Sequence, residues 1–220
     1  MNKQIALDPF QSVPTTGIAI NDLNKLLGSV LEKIKLTLGG TFTRAMITLV
    51  QLKLNGKVVY ETTGTRLDAS AVYNGITSDV TILNIDFMDR RSISANARQA
   101  GSYDLSKASG IVSARLEVTI AGATAPTLIG VADVSPPTED PDEKGIRWLM
   151  SRKHSNTQVI GASGTYALQI PHIDPAGGGS NFRRVYIFSA NCTAIKSVRE
   201  GIAEHELLKL QNESNQRDNF

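Results

Sequence analysis

An alternation of apolar and polar residues with a period of two is the feature of this sequence that most constrains its fold. Residues 111–121 (IVSARLEVTIA) show it most clearly, because apolar or small residues occupy every second position from Val112 to Ile120 and polar residues lie between them. Successive side chains of a β-strand point to opposite faces of a sheet. The pattern therefore predicts a strand with one buried face and one face in water.

An Asn-Gly pair lies between two further alternating segments. Residues 46–54 (MITLVQLKL) precede Asn55 and Gly56, and residues 57–62 (KVVYET) follow them. A type I′ turn needs positive φ at both central residues, and Asn followed by Gly adopts that conformation readily. The sequence therefore predicts a β-hairpin over residues 46–62.

Strand-like segments recur along the chain at short intervals, separated by Gly, Pro and Asn. No regular alternation of strands with helices is present, and the spacing is typical of an antiparallel sandwich. The predicted fold class is therefore all-β. The remaining predicted strands are residues 31–38, 80–88, 127–134, 147–151, 157–160, 165–170, 184–189 and 193–199.

Three short segments carry helical spacing instead: residues 22–27, 65–73 and 202–211. The last of these is the clearest helix prediction, because Ala203, Leu207 and Leu210 form an apolar stripe after Gly201. Stretches rich in polar residues, Pro or Gly are predicted to be loops. These loops are residues 90–105, 135–145 and 175–180.

Composition limits the classes of function. The 220 residues suffice for one substantial domain, and 41% of them are hydrophobic. A net charge of +2 with dispersed Lys and Arg gives no argument for binding nucleic acid or an anionic membrane surface. The sequence has neither a signal-peptide core nor the roughly 20-residue apolar run of a membrane-spanning helix. A single cysteine cannot form an internal disulfide, so we expect synthesis in a reducing cytoplasm.

No pattern of titratable residues predicts a catalytic or metal site. His154, His172 and His205 stand in different predicted elements, and none has the i, i+4 partner of a helical metal pair. Cys192 lies between two predicted strands, where a free cysteine is most often a small hydrophobic residue. The sequence therefore predicts that the protein is not an enzyme and has no cofactor and no metal ligands.

Two glycine-containing loops and an acidic cluster are the remaining candidate binding sites. Residues 177–180 (GGGS) lack the Lys and the following helix of a phosphate-binding loop, and residues 161–164 (GASG) do not match the nucleophile elbow. The acidic cluster lacks the ligand spacing of an EF-hand, so we interpret it as a solvated loop, with bound calcium as the minor alternative. Its members are Glu139, Asp140, Asp142 and Glu143.

One predicted strand combines aromatic and basic residues. In residues 182–188 (FRRVYIF), one face carries Phe182, Arg184, Tyr186 and Phe188. A sheet that binds nucleic acid needs aromatic residues interleaved with basic ones, and aromatic residues are only 5% of this chain. We therefore interpret this segment as a strand with an aromatic core face.

Several segments distributed over residues 10–215 recur in the same order in a known protein family. They include an arm with Ser12-Val13-Pro14, the hairpin ITLVQLKLNGKVVYET, the strand VTILNIDFM and the strand pair SARLEVTIAGATAPTLIGVADVS. Further along are RWLMSRKHSN, SGTYALQIP, RRVYIFSANCTAIKSVREG and HELLKLQNE. Together they resemble the first of the two tandem jelly rolls in the major coat proteins of corticovirus-like, membrane-containing phages.

This resemblance implies a jelly-roll β-sandwich that acts as a major capsid subunit of a membrane-containing icosahedral bacterial virus or prophage. The implied location is the virion capsid. The implied partners are further copies in a homotrimer, together with neighbouring capsid, vertex and viral membrane proteins, and no specific nucleic acid.

The resemblance also implies a domain organisation. Residues 1–20 are expected to form an N-terminal arm, residues 21–200 the jelly roll, and residues 201–220 a linker helix with a polar tail toward a possible second jelly roll. The chain is then either a fragment of a two-barrel subunit or a one-barrel relative that pairs with another protein. The isolated chain is then expected to trimerise weakly or not at all.

A β-sandwich module that binds carbohydrate or a receptor is the alternative from a different class of function. Such binding sites favour exposed aromatic residues, and Trp148 is the only tryptophan of the chain. An enzyme ranks third, because it would need titratable groups that converge from distant segments.

Overall fold

The computed structural model describes residues 3–73, 79–88, 101–106, 109–136, 153, 155–168, 191–199 and 202–208, and also residues 185, 187 and 189. The chain divides into two compact units, Met1–Ile173 and Asp174–Phe220. The described residues of the first unit contain nine strands and one α-helix, and those of the second contain two strands.

Long and short strands follow one another through the first unit. They are β1 (Lys3–Ala6), β2 (Gly17–Asp22), β3 (Val30–Thr41), β4 (Ile47–Leu54), β5 (Lys57–Thr62), β6 (Ile82–Asp86), β7 (Tyr103–Asp104), β8 (Ala114–Ile120) and β9 (Thr124–Ser135). Helix α1 spans Gly64–Tyr73, and 3₁₀ turns span Asn24–Leu26 and Arg44–Met46.

The nine strands form two antiparallel sheets. The first sheet has the order β1-β9-β3-β6, with β7 also paired to β3, and the second has the order β2-β8-β4-β5. In both sheets, strands that are far apart in the sequence lie side by side.

The pairings nest inside one another. Strand β4 pairs with β5, β3 with β6, β2 with β8 and β1 with β9, as in one long hairpin that has been rolled up. Two further pairings, β3 with β9 and β4 with β8, complete the sheets. Eight strands wound in this way into two sheets are a jelly roll. The predicted all-β, antiparallel jelly-roll sandwich is therefore confirmed.

The innermost turn of this winding is the predicted Asn-Gly turn. Asn55 and Gly56 have φ values of 48° and 77°, as a type I′ turn requires. The Asn55 side chain also binds the chain ahead of β8. Its Oδ1 accepts hydrogen bonds from the amides of Val112 (2.9 Å) and Ser113 (3.1 Å), and its Nδ2 donates to the carbonyl of Gly110 (2.8 Å).

The core lies between the two sheets. Ile34 and Ala132 from the first sheet, and Leu52 and Leu116 from the second, are fully buried. In strand β8 the burial alternates as the sequence predicts, with Ala114, Leu116, Val118 and Ile120 buried and the residues between them exposed or half-buried. The hydrophobic alternation therefore determines which face of the strand enters the core.

The prediction that residues 1–20 form an arm outside the sandwich is wrong. Strand β1 pairs with β9, with Lys3 opposite Val134, and β2 pairs with β8, with Gly17 opposite Ile120. Ala19 is fully buried. A polar segment can join a sheet as an edge strand, because only one of its faces needs to be apolar.

The prediction of a linker helix at residues 202–211 is wrong for the residues that are described. In the second unit, β10 (Ala194–Arg199) pairs with β11 (Ile202–Leu208) in antiparallel register. Only Glu200 and Gly201 separate the two strands, which is the length of a tight hairpin connection. Ile202 therefore begins a strand and not a helix.

Other strand and helix predictions have mixed outcomes. The strands predicted at residues 31–38, 46–54, 57–62, 80–88, 111–121, 127–134 and 193–199 and the helix at 65–73 are confirmed, with small changes in their ends. The helical spacing at residues 22–27 gives only a 3₁₀ turn. Residues 157–160, 165–168, 185, 187 and 189 are not in strands. The strand at 147–151 and the loop at 175–180 lie outside the described residues, as do most of the loops at 90–105 and 135–145.

A bulge in the β3–β9 pair generates a testable prediction. Gly40 has a φ of 72°, and a Cβ there would overlap the main-chain oxygen of Ala125. Gly122 has nearly the same φ, 73°, but a Cβ there would meet no atom within 4 Å. We expect G122A to lower the free energy of unfolding by about 1 kcal/mol, from backbone conformation alone. We expect G40A to lower it by about 3 kcal/mol or more, because the bulge must also move.

The measurement is urea unfolding followed by circular dichroism. Equal losses in G40A and G122A would show that the close approach of Gly40 to β9 contributes nothing.

Candidate interaction surface

Of the histidine and cysteine candidates, only Cys192 and His205 lie in the part of the chain that the structure describes. Cys192 is partly exposed, and its thiol donates to the main-chain oxygen of Ala194 at 3.5 Å. His205 lies in β11. Among the described residues, no three His, Cys, Asp or Glu side chains are grouped so that they could hold a metal ion.

The other candidates cannot be placed. His154, His172, Trp148, the acidic residues 139–143, the loop 177–180 and the aromatic face of residues 182–188 lie wholly or largely outside the described residues. The segment 161–164 is an exposed bend. The absence of a catalytic, cofactor or metal site therefore stays a prediction.

Paired charges cover the outer face of the second sheet. Arg115 on β8 donates to Asp22 on β2 at 2.8 Å, and Lys53 on β4 binds Glu117 on β8 at 2.7 Å. The hydrogen bond and the charge of Asp22 raise the pKa of Arg115. Arg115 lies directly opposite Asp22 in the register, whereas Glu117 lies opposite Gln51 and reaches Lys53 diagonally. The face is thus polar but largely neutralised within the chain.

A short groove lies at one end of this face. It has a volume of about 390 Å³ and is lined by Asp22, Asn24, Lys53, Gly56, Ser113, Ala114 and Arg115. Its charged groups already form pairs within the chain, so the groove presents no uncompensated charge that would select a charged ligand.

The edge strand of this sheet is covered by a later part of the chain. Lys153 forms a parallel bridge with Tyr60 on β5. The Lys153 amide donates to the carbonyl of Val59 at 3.0 Å, and the Glu61 amide donates to the carbonyl of Lys153 at 2.8 Å. Unpaired edge strands invite pairing with other chains, so this contact protects part of β5.

The Lys153 side chain lies on an aromatic cluster. Its Nζ is 5.1 Å from the centre of the Tyr60 ring. Tyr60 meets Phe87 edge to face at 5.0 Å, and Phe87 meets Tyr103 in the same way at 5.2 Å. The Tyr103 hydroxyl donates to the carbonyl of Val59 at 3.2 Å. Burial lowers the pKa of Lys153 to about 8, and the guanidinium of Arg66 adds to this.

Arg66 in helix α1 holds the residues that follow Lys153. Its guanidinium donates to the hydroxyl of Ser155, to the main-chain oxygen of Asn156 at 3.5 Å and to the hydroxyl of Thr157 at 3.2 Å. The helix itself is capped where it begins, because the Thr63 hydroxyl accepts from the Arg66 amide at 3.2 Å. Residues 153–157, the docked segment, are thus attached both to β5 and to α1.

Sequence reasoning missed this attachment. The sequence predicts a strand at residues 157–160 instead, and Lys153 is notable there only as a member of the basic pair Arg152-Lys153. Contacts between side chains almost 90 positions apart leave no local pattern. A charge-free stretch that begins at Ser155 was the one available signal.

Within the described residues, no helix has both the length and the apolar character needed to cross a membrane.

Comparisons with known proteins match the jelly roll. The family model of the viral coat protein P2 N-terminal domain matches residues 4–135, well over half of the chain. No curated protein matches the sequence significantly. Among solved structures, the crystal structure of the major capsid protein P2 from bacteriophage PM2 matches with a TM-score of 0.55 and 18% sequence identity. The match covers 63% of this chain and 52% of that chain, so this chain corresponds to about half of that protein's length.

The half-buried Lys153 side chain predicts that the stability of the protein depends on pH. Its pKa is about 8 when folded and near 10.5 in the unfolded chain. Between these values the unfolded chain binds one more proton, so the free energy of unfolding should rise as the pH rises from 8 to 10.5. We expect a rise on the order of 1–2 kcal/mol for this partly exposed position.

Urea unfolding from pH 7 to 10.5 measures this rise. K153M should abolish it while keeping an unbranched chain over Tyr60, whereas K57M, at an exposed position, should retain it. An unchanged pH dependence in K153M would exclude the burial of this ammonium.

Proposed function

The chain belongs to the viral coat protein P2 N-terminal domain family, and on that basis we propose that it is a structural protein of the virion. In this proposal it is a major capsid subunit of a membrane-containing icosahedral bacterial virus or prophage. It is synthesised in the cytoplasm of the bacterial host and acts in the virion capsid by self-assembly.

One observation carries this proposal. The family match, residues 4–135, coincides with the eight strands that complete the jelly roll, Lys3 to Ser135. The similarity thus extends over the whole jelly roll and does not rest on a short motif. The proposed role is therefore mechanical and not enzymatic.

The surface of the sandwich is suited to lateral packing. Jelly rolls have short, protected edges, and here the docked segment binds the edge of β5. The outer face of the second sheet has its charges paired through Arg115–Asp22 and Lys53–Glu117. A neighbour that covers these two pairs does not bury an isolated charge there, which would cost several kcal/mol.

We further propose the partners. Copies of the chain form a homotrimer in the capsid lattice, beside other capsid, vertex and viral membrane proteins, and no specific nucleic acid is bound. We propose that the jelly-roll domain is the segment from β1 to β9, Lys3–Ser135. It begins before residue 21 and ends before residue 200, the two bounds expected from the sequence. The β10–β11 hairpin then belongs to a part of the chain that follows this domain.

Sedimentation of the full chain over a range of concentrations tests the proposal. We expect a reversible shift from the mass of one 23.7 kDa chain toward three times that mass as the concentration rises. The association should be weak, because the chain corresponds to about half of the matched capsid protein.

A chain that remains monomeric at every concentration, and that binds a particular glycan in a screen, would contradict the proposal. It would favour a carbohydrate-binding sandwich.

A further inference from the structure

An exposed loop of the first unit combines apolar side chains with a lack of charge. Residues 155–171 are the longest stretch of the chain without an acidic, basic or His residue. Four large apolar residues within it are exposed: Val159 (91%), Ile160 (51%), Tyr166 (44%) and Leu168 (50%). Scattered single apolar residues on a surface are ordinary, but a group of them marks an interaction site.

This loop, residues 158–168, has internal hydrogen bonds that define its shape. The Gln158 side-chain amide donates to the main-chain oxygen of Ala167 at 3.0 Å, and the Tyr166 hydroxyl donates to that of Ala162 at 3.0 Å. At its start, the docked segment joins it to Arg66 and β5. The apolar residues are therefore presented on a fixed loop, which lowers the entropy cost of binding a partner.

The lack of charge bears on the kind of partner. Residues that lie close to a rotation axis meet the same residues of another copy. A charged residue at such a place meets its own charge and is repelled, whereas an uncharged apolar loop is compatible with itself. A charged partner surface would instead leave its charges unpaired against this loop.

We propose that residues 158–168 are the contact through which copies of this chain meet around a rotation axis. The partner is thus a second copy of the same chain, and apolar burial of the loop drives the contact. This inference rests on the proposed coat-protein function and assigns a location to its self-association.

The test places a charge on each copy of the loop. Val159 is almost fully exposed, so V159E and V159K should leave the thermal melting of the chain unchanged. V112E is the matched control, because Val112 is also exposed (76%) but lies in the connection before β8. Sedimentation of the full chain at low salt gives the association constant of each variant.

We expect V159E and V159K each to weaken self-association about tenfold or more, since like charges then face one another. An equimolar mixture of V159E with V159K should restore it, and V112E should match the wild type. Restoration by mixing is specific to a contact in which the loop meets itself.

Four outcomes would overturn the inference. If V159E associates as the wild type does, or if mixing restores nothing, the loop does not meet its own copy, and the proposed self-assembly stands. If the wild type never associates, this inference fails, and the glycan screen then decides on the coat-protein function. If monomeric wild type floats with phosphatidylcholine vesicles and V159E does not, a lipid surface is the partner instead.

Discussion

The pairing of β3 with β9 is the constraint on which the rest of the structure depends. Both strands are twelve residues long, and they pair along almost their whole length although their segments lie far apart in the sequence. Closing such a long loop costs entropy, which the nested pairs inside it offset. With β3 and β9 side by side, β6 is added on one edge and β1 on the other, while β4 and β8 pair in the facing sheet. The bulge at Gly40 lets the two long strands twist together.

The sequence predicts the elements that are specified by residues close to one another in the chain. The Asn55-Gly56 hairpin is specified by its turn residues, and strand β8 by its alternation, because both signals are contained within a dozen residues. Strands β1 and β2 were missed as parts of the sandwich, since their partners lie more than 90 positions away, as Lys3 and Val134 show. At residues 202–208 the apolar spacing fits a helix and a strand alike, and the pairing with β10 decides between them.

The candidate surface was harder to foresee than the fold, for the same reason. Lys153 and Arg66 are ordinary basic residues in the sequence, and only the three-dimensional structure brings them to β5 and to the chain after Lys153. The two play different physical roles. Lys153 extends the hydrogen bonding of the sheet by one residue and covers an aromatic cluster, whereas Arg66 binds hydroxyl and carbonyl oxygens through its fork of donors. Together they connect the jelly roll to a segment that lies outside it.

The register of β1 against β9 has a consequence for how such a protein can be built. Because Lys3 lies opposite Val134, the polypeptide enters and leaves the jelly roll at adjacent points on one sheet. A fold with neighbouring entry and exit points can be spliced into another chain, or repeated within one gene, without stretching either connection. The same geometry is suited to circular permutation, in which the two ends of the module are joined and new ends are opened in a surface loop. The sheet pairings would be the same in the permuted module.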